Sequence, residues 1–324
     1  MKALVTTGQY LSLLLLLLLI NFALPRLAPG TPLNYLLGGE DAATLSHSQR
    51  QQVLQEFGLH LPLTQQFQNY LAGMFDGDLG HSVSLGLPVS EILSDRVGWT
   101  LLLMGTAWLL SSLIGVIGGV ISARHYGRAT DLGILSLVLV SSAMPPFWIG
   151  MLLIILLSVT LDWLPSFGAY PLAVATGSSD YWWGVSQRLI MPALSITLVH
   201  TGSVLLTTRS AMLLALQQDY VQFARAQGAS ETRIFFHHAL RNALLPVYTH
   251  LSVSLGAMLS GALIVETVFA WPGIGSLIVD AVHARDYPLL QGIFLITGLS
   301  IILANWLAEI SYPLIDPRQG GRRR

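Results

Sequence analysis

Few side chains in this sequence of 324 residues are placed where they could carry out chemistry. His200, His250 and Glu309 lie in or beside long apolar stretches, where an ionisable group is unusual. Acid–base catalysis or metal binding would need two or more such groups to converge on one point. His237 and His238 are adjacent, whereas side chains that share a helix face are three or four residues apart. The sequence therefore predicts no catalytic residue and no metal site.

Cofactor and nucleotide chemistry are also not expected of this chain. The sequence contains no Gly-x-x-x-x-Gly-Lys-Ser/Thr phosphate loop, so any ATP, with its Mg, would be bound by a separate chain. Cysteine is absent, which excludes disulfides and thiolate metal ligands. A net charge of -1 gives no overall field that favours nucleic acid as a partner.

The composition is that of a polytopic membrane protein. Hydrophobic residues make up 53% of the chain and charged residues 10%, against about 25% charged residues in soluble proteins. A membrane-spanning helix needs about 20 apolar residues. The charge-free stretch 57–75 contains several amides, and we interpret it as an amphipathic helix outside the membrane. Six other stretches predict an all-α fold with six transmembrane helices, at 3–25, 97–123, 132–161, 189–208, 242–265 and 287–308.

The first of these stretches has an alternative interpretation. Lys2 followed by the apolar run 11–20 resembles the start of a cleaved signal peptide. No small-x-small cleavage pattern follows it, because the chain continues as Leu-Pro-Arg-Leu-Ala-Pro-Gly over residues 24–30. We therefore expect residues 1–25 to remain as the first transmembrane helix.

The orientation in the membrane is predicted from the basic residues of the short loops. Both termini are expected in the cytoplasm, with residues 26–96 as an extracytoplasmic segment and 97–313 as the membrane core. The basic tail, Arg322 to Arg324, is interpreted as a topology anchor that could touch anionic lipid. Eleven of the 16 Lys and Arg residues share the side of the N-terminus, in segments 1–2, 124–131, 209–241 and 314–324.

The middle of the third stretch is a candidate pathway element. Pro145 and Pro146 remove two backbone donors there, which predicts a kink or a break. A break at membrane depth is tolerated where it is buried in protein or lines a cavity. Pro145, Pro146, Phe147 and Trp148 are therefore equally compatible with a pathway wall and with a packing kink.

Two further positions near the ends of stretches are pathway or gate candidates. The run Trp271-Pro-Gly-Ile-Gly predicts a tight outer turn, since glycine and proline favour turns. We interpret this turn, with Glu266 before it, as a structural corner, and a scaffold at the outer mouth is the alternative. Glu309 is interpreted as a paired or snorkelling carboxylate at a helix end, and a gate residue is the alternative.

Segment 209–246 is too long for a simple connection between neighbouring spans. Helix formers dominate up to Gln227, Gly228 fits a helix C-terminus and Ser230 is a good N-cap. A second helix is expected to end ahead of Pro246. The segment therefore predicts a helix, a tight turn and a helix, and a short exposed amphipathic helix suits insertion into the groove of a partner.

The same segment resembles the coupling loop of bacterial ABC-importer permeases of the dipeptide/oligopeptide/nickel family. The resemblance rests on Tyr220-Val-x-x-Ala-Arg-Ala-x-Gly228 and on His238-Ala-Leu-Arg-Asn-Ala-Leu-Leu-Pro246. The general Glu-Ala-Ala signature of such importers is Gln-Phe-Ala here, so its glutamate is absent. Further matches follow in the order of the family, at Asp78-Leu-Gly80, Val265–Gly275, Arg285-Asp-Tyr-Pro288 and Asp316-Pro-Arg318.

This resemblance implies a type I ABC-importer permease bundle in the bacterial inner membrane, which performs no chemistry itself. The partners that it implies are a second, non-identical permease subunit, two ATP-binding subunits and an extracytoplasmic substrate-binding protein. The implied substrates are dipeptides and oligopeptides, with nickel or a metal–chelator complex as the alternative. The residues implied to contact the ATP-binding subunits are Asp219, Tyr220, Val221, Phe223, Ala224, Arg225, Ala226, Gly228 and Arg233.

Two other classes of protein compete with this interpretation. A secondary transporter is expected to carry ionisable residues within its spans, and the six stretches contain no Asp, Glu, Lys or Arg. An intramembrane enzyme needs converging acid, base or metal ligands. We therefore expect a permease subunit of an ATP-driven importer, and an ATP-independent secondary transporter is the distant alternative.

Overall fold

The computed structural model describes residues 2–27, 60–258 and 263–315, together with the single residues 48, 51 and 55. The described residues form helices and loops, and their only β-type pairing is one antiparallel bridge between His81 and Pro88. The predicted all-α class is therefore confirmed. The tail 314–324 lies almost entirely outside the described residues.

The helices carry the following labels. They are α1 (Lys2–Leu27), α2 (Leu63–Phe75), α3 (Val89–Arg124), α4 (Ala129–Ser142), α5 (Pro146–Leu153), α6 (Ser179–Leu216), α7 (Asp219–Ala226), α8 (Glu231–Met258), α9 (Leu263–Val268), α10 (Ile274–His283) and α11 (Tyr287–Ile315). The helix α5 continues as a π-helix over Ile154–Thr160, and this continuation is included in the label. The helix α8 is one helical run made of Glu231–Arg233, the π-helical Ile234–Ala239 and Leu240–Met258.

Within the described residues, four helices are long and apolar enough to cross a membrane. They are found in α1, α3, α6 and α11, and the pair α4 and α5 makes up to five if it counts as one broken span. The stretch 242–265 corresponds to α8 and α9, and residues 259–262 between them lie outside the described residues. The described helices thus support four or five of the six predicted spans.

Two of these helices extend well beyond the charge-free stretches that predicted them. The helix α3 begins at Val89, although Glu91, Asp95 and Arg96 lie in its first turns. The helix α6 begins at Ser179, where the side chain of Ser178 accepts a hydrogen bond from the Tyr181 amide as an N-cap. A charge-free criterion misses such ends because charged and polar residues are well tolerated in a helix beyond the apolar core.

The predicted break at the two prolines is confirmed. Pro145 is extended (φ -63°, ψ 140°) and Pro146 occupies the first turn of α5, where its missing N–H costs no hydrogen bond. The helices on either side are bent by 98°. This geometry is that of a broken span or a re-entrant loop.

The chain divides into two compact units, and each has its own core. The first comprises Met1–Thr100 and Pro272–Leu303. Its core packs the start of α3 against α10 and the start of α11, where a Cβ at Gly292 would overlap Cγ1 of Val89. In the same unit, the side-chain amides of Asn21 and Gln291 each donate to the backbone carbonyl of the other, at 3.0 Å.

The second unit comprises Leu101–Trp271 and Ala304–Arg324, and a glycine contact brings α3 close to α6. A Cβ at Gly119 would lie 2.6 Å from Cβ of Thr208 and 2.8 Å from the carbonyl oxygen of Leu205. Small residues at such crossings let two helix backbones approach closely, which gains packing contacts in a membrane. The position therefore requires glycine for space.

We predict that Gly119→Ala lowers the thermal stability of the protein, because the added methyl group forces α3 and α6 apart. Overpacking of this kind costs about 1–3 kcal/mol. The matched control is Gly105→Ala on the same helix, where nothing lies within 4 Å of an added Cβ. The measurement is the unfolding midpoint of the detergent-purified protein. A midpoint for Gly119→Ala equal to that of Gly105→Ala would contradict the close helix contact.

Candidate functional site

The helix α7 is separate from α6, which corrects the sequence prediction of one helix up to Gln227. The chain leaves the α-helical conformation at Gln218 (φ -74°, ψ 150°) and re-enters it at Asp219. After this turn, Val221 and Ala224 become buried, with exposed fractions of 0% and 8%. Tertiary packing thus overrides the helix propensity of the two glutamines at the break.

The predicted stop at Gly228 is confirmed by the geometry of the α7 C-terminus. Gly228 has a φ of +80°, and nothing lies within 4 Å of a Cβ placed on it. The amide of Ala229 donates to the carbonyl of Ala224 at 3.1 Å, which closes the helix end in the manner of a Schellman motif. Glycine is required here by the left-handed backbone and not by lack of space.

The helix α7 has one buried and one exposed face. Val221 and Ala224 are buried, whereas Tyr220 and Phe223 are 39% and 66% exposed. Tyr220 and Phe223 are three residues apart, so their side chains are neighbours on the helix surface and form one apolar patch. An exposed aromatic patch on a short helix is a feature of a protein-docking surface.

An ion pair closes the turn that follows α7. Nε of Arg225 donates to Oε1 of Glu231 at 2.9 Å, and its second nitrogen donates to Oε2 at 3.2 Å. This bond holds the pKa of Glu231 below its usual value and raises the pKa of Arg225. Ser230 accepts from the Arg233 amide as the predicted N-cap. Both ends of the tight turn are therefore tied, although the ion pair itself is exposed.

The base of α7 is a tightly packed junction of helices. The helix α8 continues past Pro246, whereas the sequence predicted that it ends before this proline. A proline within a membrane helix is tolerated where packing satisfies the freed backbone groups. Close to its start, over Ile234–Ala239, α8 is π-helical, a feature that is frequent at functional sites. The small and apolar residues that join α3, α6 and α8 here are Val120, Ala123, Ala211, Met212, Ala215, Ala239, Ala243 and Val247.

A buried ion pair that sequence reasoning missed fixes the same junction. Nε and the second nitrogen of Arg209 donate to the two carboxylate oxygens of Asp131, at 2.9 and 2.8 Å. The amide of Gly127 and the hydroxyl of Ser122 also donate to this carboxylate. Asp131 is 1% exposed. The pair therefore joins α3, the turn after it, α4 and α6 at the end of α6 that leads into α7.

In the first unit, two serines just after the Asp78-Leu-Gly80 motif bind the carboxylate of the Arg285-Asp-Tyr-Pro288 motif. Oδ2 of Asp286 accepts from the hydroxyl of Ser82 at 2.6 Å and from the amide and hydroxyl of Ser84 at 2.9 and 2.8 Å. Burial alone would raise the pKa of Asp286, but these hydrogen bonds hold it below its usual value. Its Oδ1 accepts from the Leu289 amide and so caps α11. Asp286 thus anchors the loop that precedes α3.

The outer-turn candidates form a buried corner in the second unit. Glu266 and Trp271 are both 0% exposed, and the Trp271 amide donates to the Glu266 carbonyl at 2.8 Å. The left-handed residue of this turn is Ala270 (φ 48°), whereas the sequence placed the conformational freedom at the glycines. Phe269 fills the space beside Gly150 of α5, where an added Cβ would lie 2.8 Å from its ring.

The other pathway candidates are spread along the helices. Pro145 is exposed, Pro146 and Phe147 are half-buried and Trp148 is 42% exposed at the α4–α5 break. Glu309 lies on α11 and is half-buried. The structure therefore places seven of the nine predicted docking residues on α7, Gly228 in the turn after it and Arg233 on α8, and it gathers the pathway candidates only in part.

Fold and site together define a polytopic α-helical membrane protein with a short, partly exposed helix between two of its long helices. The family of binding-protein-dependent transport system inner membrane components matches residues 115–321. An oligopeptide transport system permease protein, AppB, of Bacillus subtilis is 36% identical over 313 residues, 96% of each chain. A di/tripeptide transport system permease protein, DppB, of Pseudomonas aeruginosa is 36% identical over 93% of each chain.

Solved structures share the fold at low sequence identity. An amino acid ABC transporter with histidines aligns over 69% of this chain and 94% of its own, with a TM-score of 0.54 and 14% identity. The MetNI methionine ABC transporter aligns over 69% and 96%, with a TM-score of 0.52 and 14% identity. This chain belongs to the binding-protein-dependent transport system inner membrane component family, and it is a permease subunit of an ABC importer.

The buried ion pair yields a stability prediction. Arg209→Met leaves the Asp131 carboxylate buried without its partner, and the loss of one member of a buried pair costs about 3–5 kcal/mol. The double variant Asp131→Leu/Arg209→Met is expected to recover most of this loss, since neither charge is then buried.

The matched control is Arg225→Met, which breaks the exposed pair with Glu231 and is expected to leave the unfolding midpoint nearly unchanged, because exposed ion pairs contribute little to stability. The unfolding midpoints of the detergent-purified proteins measure all three effects. Equal midpoints for Arg209→Met and Arg225→Met would show that the buried pair does not hold the junction.

Proposed function

We propose that this chain forms half of the translocation pathway of an ATP-driven importer for dipeptides and oligopeptides. Its partners in this proposal are a second, non-identical permease subunit, two ATP-binding subunits and an extracytoplasmic substrate-binding protein. ATP hydrolysis takes place on the ATP-binding subunits, so this chain is not an enzyme. Relatives named as peptide permeases, aligned over nearly their full lengths, support the substrate class.

The observation that carries the proposal is the geometry of α7. The helix presents Tyr220 and Phe223 outward, and Val221 and Ala224 are buried. It follows α6 directly in the chain and packs on the π-helical part of α8. A partner subunit that binds the exposed patch therefore acts on both long helices at once. Coupling between two sites requires an element whose equilibrium both sites bias, and α6 with α8 is that element in this proposal.

The proposed topology has six transmembrane helices and both termini in the cytoplasm of the bacterial cell. Four spans come from the long helices, the fifth comes from the broken pair of α4 and α5, and the sixth comes from α8 with α9. The segment 26–96, with α2 in it, is extracytoplasmic. In this orientation, α7 and the ion pair of Arg209 with Asp131 face the cytoplasm, where the ATP-binding subunits are.

A nickel or metal–chelator substrate is the alternative within the same machinery. The described residues contain no group of three or more His, Cys, Asp or Glu side chains that could hold a metal ion. The choice of substrate in such importers is made largely by the substrate-binding protein, so a direct uptake assay must decide between the two. The assay below therefore follows a labelled peptide and labelled nickel in parallel.

We predict that Gly228→Val abolishes peptide uptake and that Gly228→Asn retains it. The residue has a φ of +80°, which asparagine tolerates and a β-branched valine does not. Cells that lack this chain receive the wild type or either variant, and uptake of a labelled peptide and of nickel is measured. Each variant is also purified with its partner chains, to measure ATPase activity.

Loss of peptide uptake in Gly228→Val, with the ATP-binding subunits still present, is the expected result. Equal uptake by the valine and asparagine variants would contradict a coupling role for the turn. Restoration of nickel uptake but not of peptide uptake by the wild type would replace the peptide substrate with the alternative.

A further inference from the structure

The helices of the second unit present two chemically different exposed faces. On α3, all six exposed residues between positions 101 and 121 are apolar. A face of this composition is compatible with lipid. These residues are Leu101, Leu109, Leu113, Ile114, Ile117 and Ile121.

The outward face of α6 differs from that of α3 over the same membrane region. Ser203 and Ser210 are exposed, and His200 and Thr207 are half-buried. These four positions follow a spacing of three, four and three residues, so they share one helix face. They extend over about 15 Å of helix axis. Leu206 is the exposed apolar residue within this stretch.

The neighbouring helix α8 continues this polar face. Asn242 and Thr249 are exposed, and His250 is half-buried. Thr249 and His250 follow Asn242 by seven and eight residues, so the three residues share one helix face. Nε2 of His250 lies 3.2 Å from the hydroxyl oxygen of Ser203, which joins the polar residues of α8 to those of α6. The two helices therefore form one surface, which we call the polar wall: His200, Ser203, Thr207, Ser210, Asn242, Thr249 and His250.

Lipid is an unfavourable environment for the polar wall. The hydroxyls of Ser203, Thr207 and Thr249 donate to carbonyls of their own helices and are tolerated in lipid for that reason. The imidazoles of His200 and His250 are not satisfied in this way, and ionisable groups at membrane depth normally face protein or a water-filled cavity. The contrast with α3 on the same unit thus separates a lipid face from a water face.

We infer that the polar wall lines the water-filled route by which the transported solute crosses the membrane. The inference rests on the proposed function and names the residues of that pathway. A surface of hydroxyls, an amide and imidazoles offers hydrogen bonds to a polar solute such as a peptide, without a charge that would retain it. The helices that carry the wall are also the two that α7 joins, so a partner that moves α7 moves the wall directly.

Single cysteines test this inference, since the chain has none of its own. Ser203→Cys and Thr249→Cys probe the wall, and Leu113→Cys and Ile117→Cys on the apolar face of α3 are the matched controls. A charged, water-soluble methanethiosulfonate reagent is applied to native membranes, with and without vanadate-trapped nucleotide. Labelling of this subunit is quantified by mass spectrometry, and peptide uptake is measured before and after labelling.

The wall cysteines are expected to react at least about tenfold faster than the controls in one or both nucleotide states, because the thiolate is the reacting species and does not form in hydrocarbon. Labelling of either wall cysteine is expected to block peptide uptake, whereas treatment of the wild type is not. Wall cysteines that react no faster than the controls in both states would show that lipid or the partner permease covers the wall. Labelling that leaves uptake unchanged would equally overturn a pathway role.

The labelling readout does not depend on the identity of the importer. Partner chains that co-purify with the cysteine variants report on the proposed function separately. Fast labelling without any ATP-binding partner would retain a water-filled wall and reject the ATP-driven importer. Slow labelling with all partners present would retain the importer and reject the wall.

Discussion

The bidentate ion pair between Arg209 and Asp131 is the interaction on which the functional end of the second unit depends. A buried carboxylate is costly in a chain of this composition, and it persists here because four donors surround it: two nitrogens of Arg209, the Gly127 amide and the Ser122 hydroxyl. The pair fixes the last turns of α6 to α3 and α4. The direction in which the chain leaves α6 for α7 is set by that junction.

In the proposed coupling, rigidity at this junction allows a short helix to act on long ones. The helix α7 has eight residues and contributes little apolar area of its own. Val221 and Ala224 are buried, and the helix packs on the π-helical part of α8, while α8 packs on α6 through alanines and Met212. Small side chains allow close backbone contact, and close-packed interiors transmit displacement. A push on the exposed face of α7 is therefore delivered to the helices that carry the polar wall.

Much of this arrangement could be predicted from the sequence, where local chemistry decides. The break at Pro145 and Pro146, the turn at Gly228 and the N-cap at Ser230 follow from backbone preferences that neighbours do not alter. The separation of α7 from α6 at Gln218 could not be predicted, because the gain lies in burial of residues further along the chain.

Long-range contacts set a second limit on prediction. Asp131 and Arg209 are 78 residues apart, and Ser82 and Asp286 are 204 apart, so no local pattern joins them. The nearest signal is the rarity of charge itself: an acidic residue at the edge of an apolar stretch needs a partner. The polar wall could not be predicted either, because the exposed face of α6 is identified only once the packing shows which of its residues are buried.

The most direct test of this account is a photo-crosslink from Phe223 in native membranes. A photoreactive amino acid replaces Phe223 on α7, and the control replaces Phe167, which is 59% exposed in the loop between α5 and α6. The account predicts that an ATP-binding subunit is captured from position 223 and not from position 167. Capture from position 167 alone would reverse the proposed orientation, and capture of lipid alone from position 223 would contradict the docking role of α7.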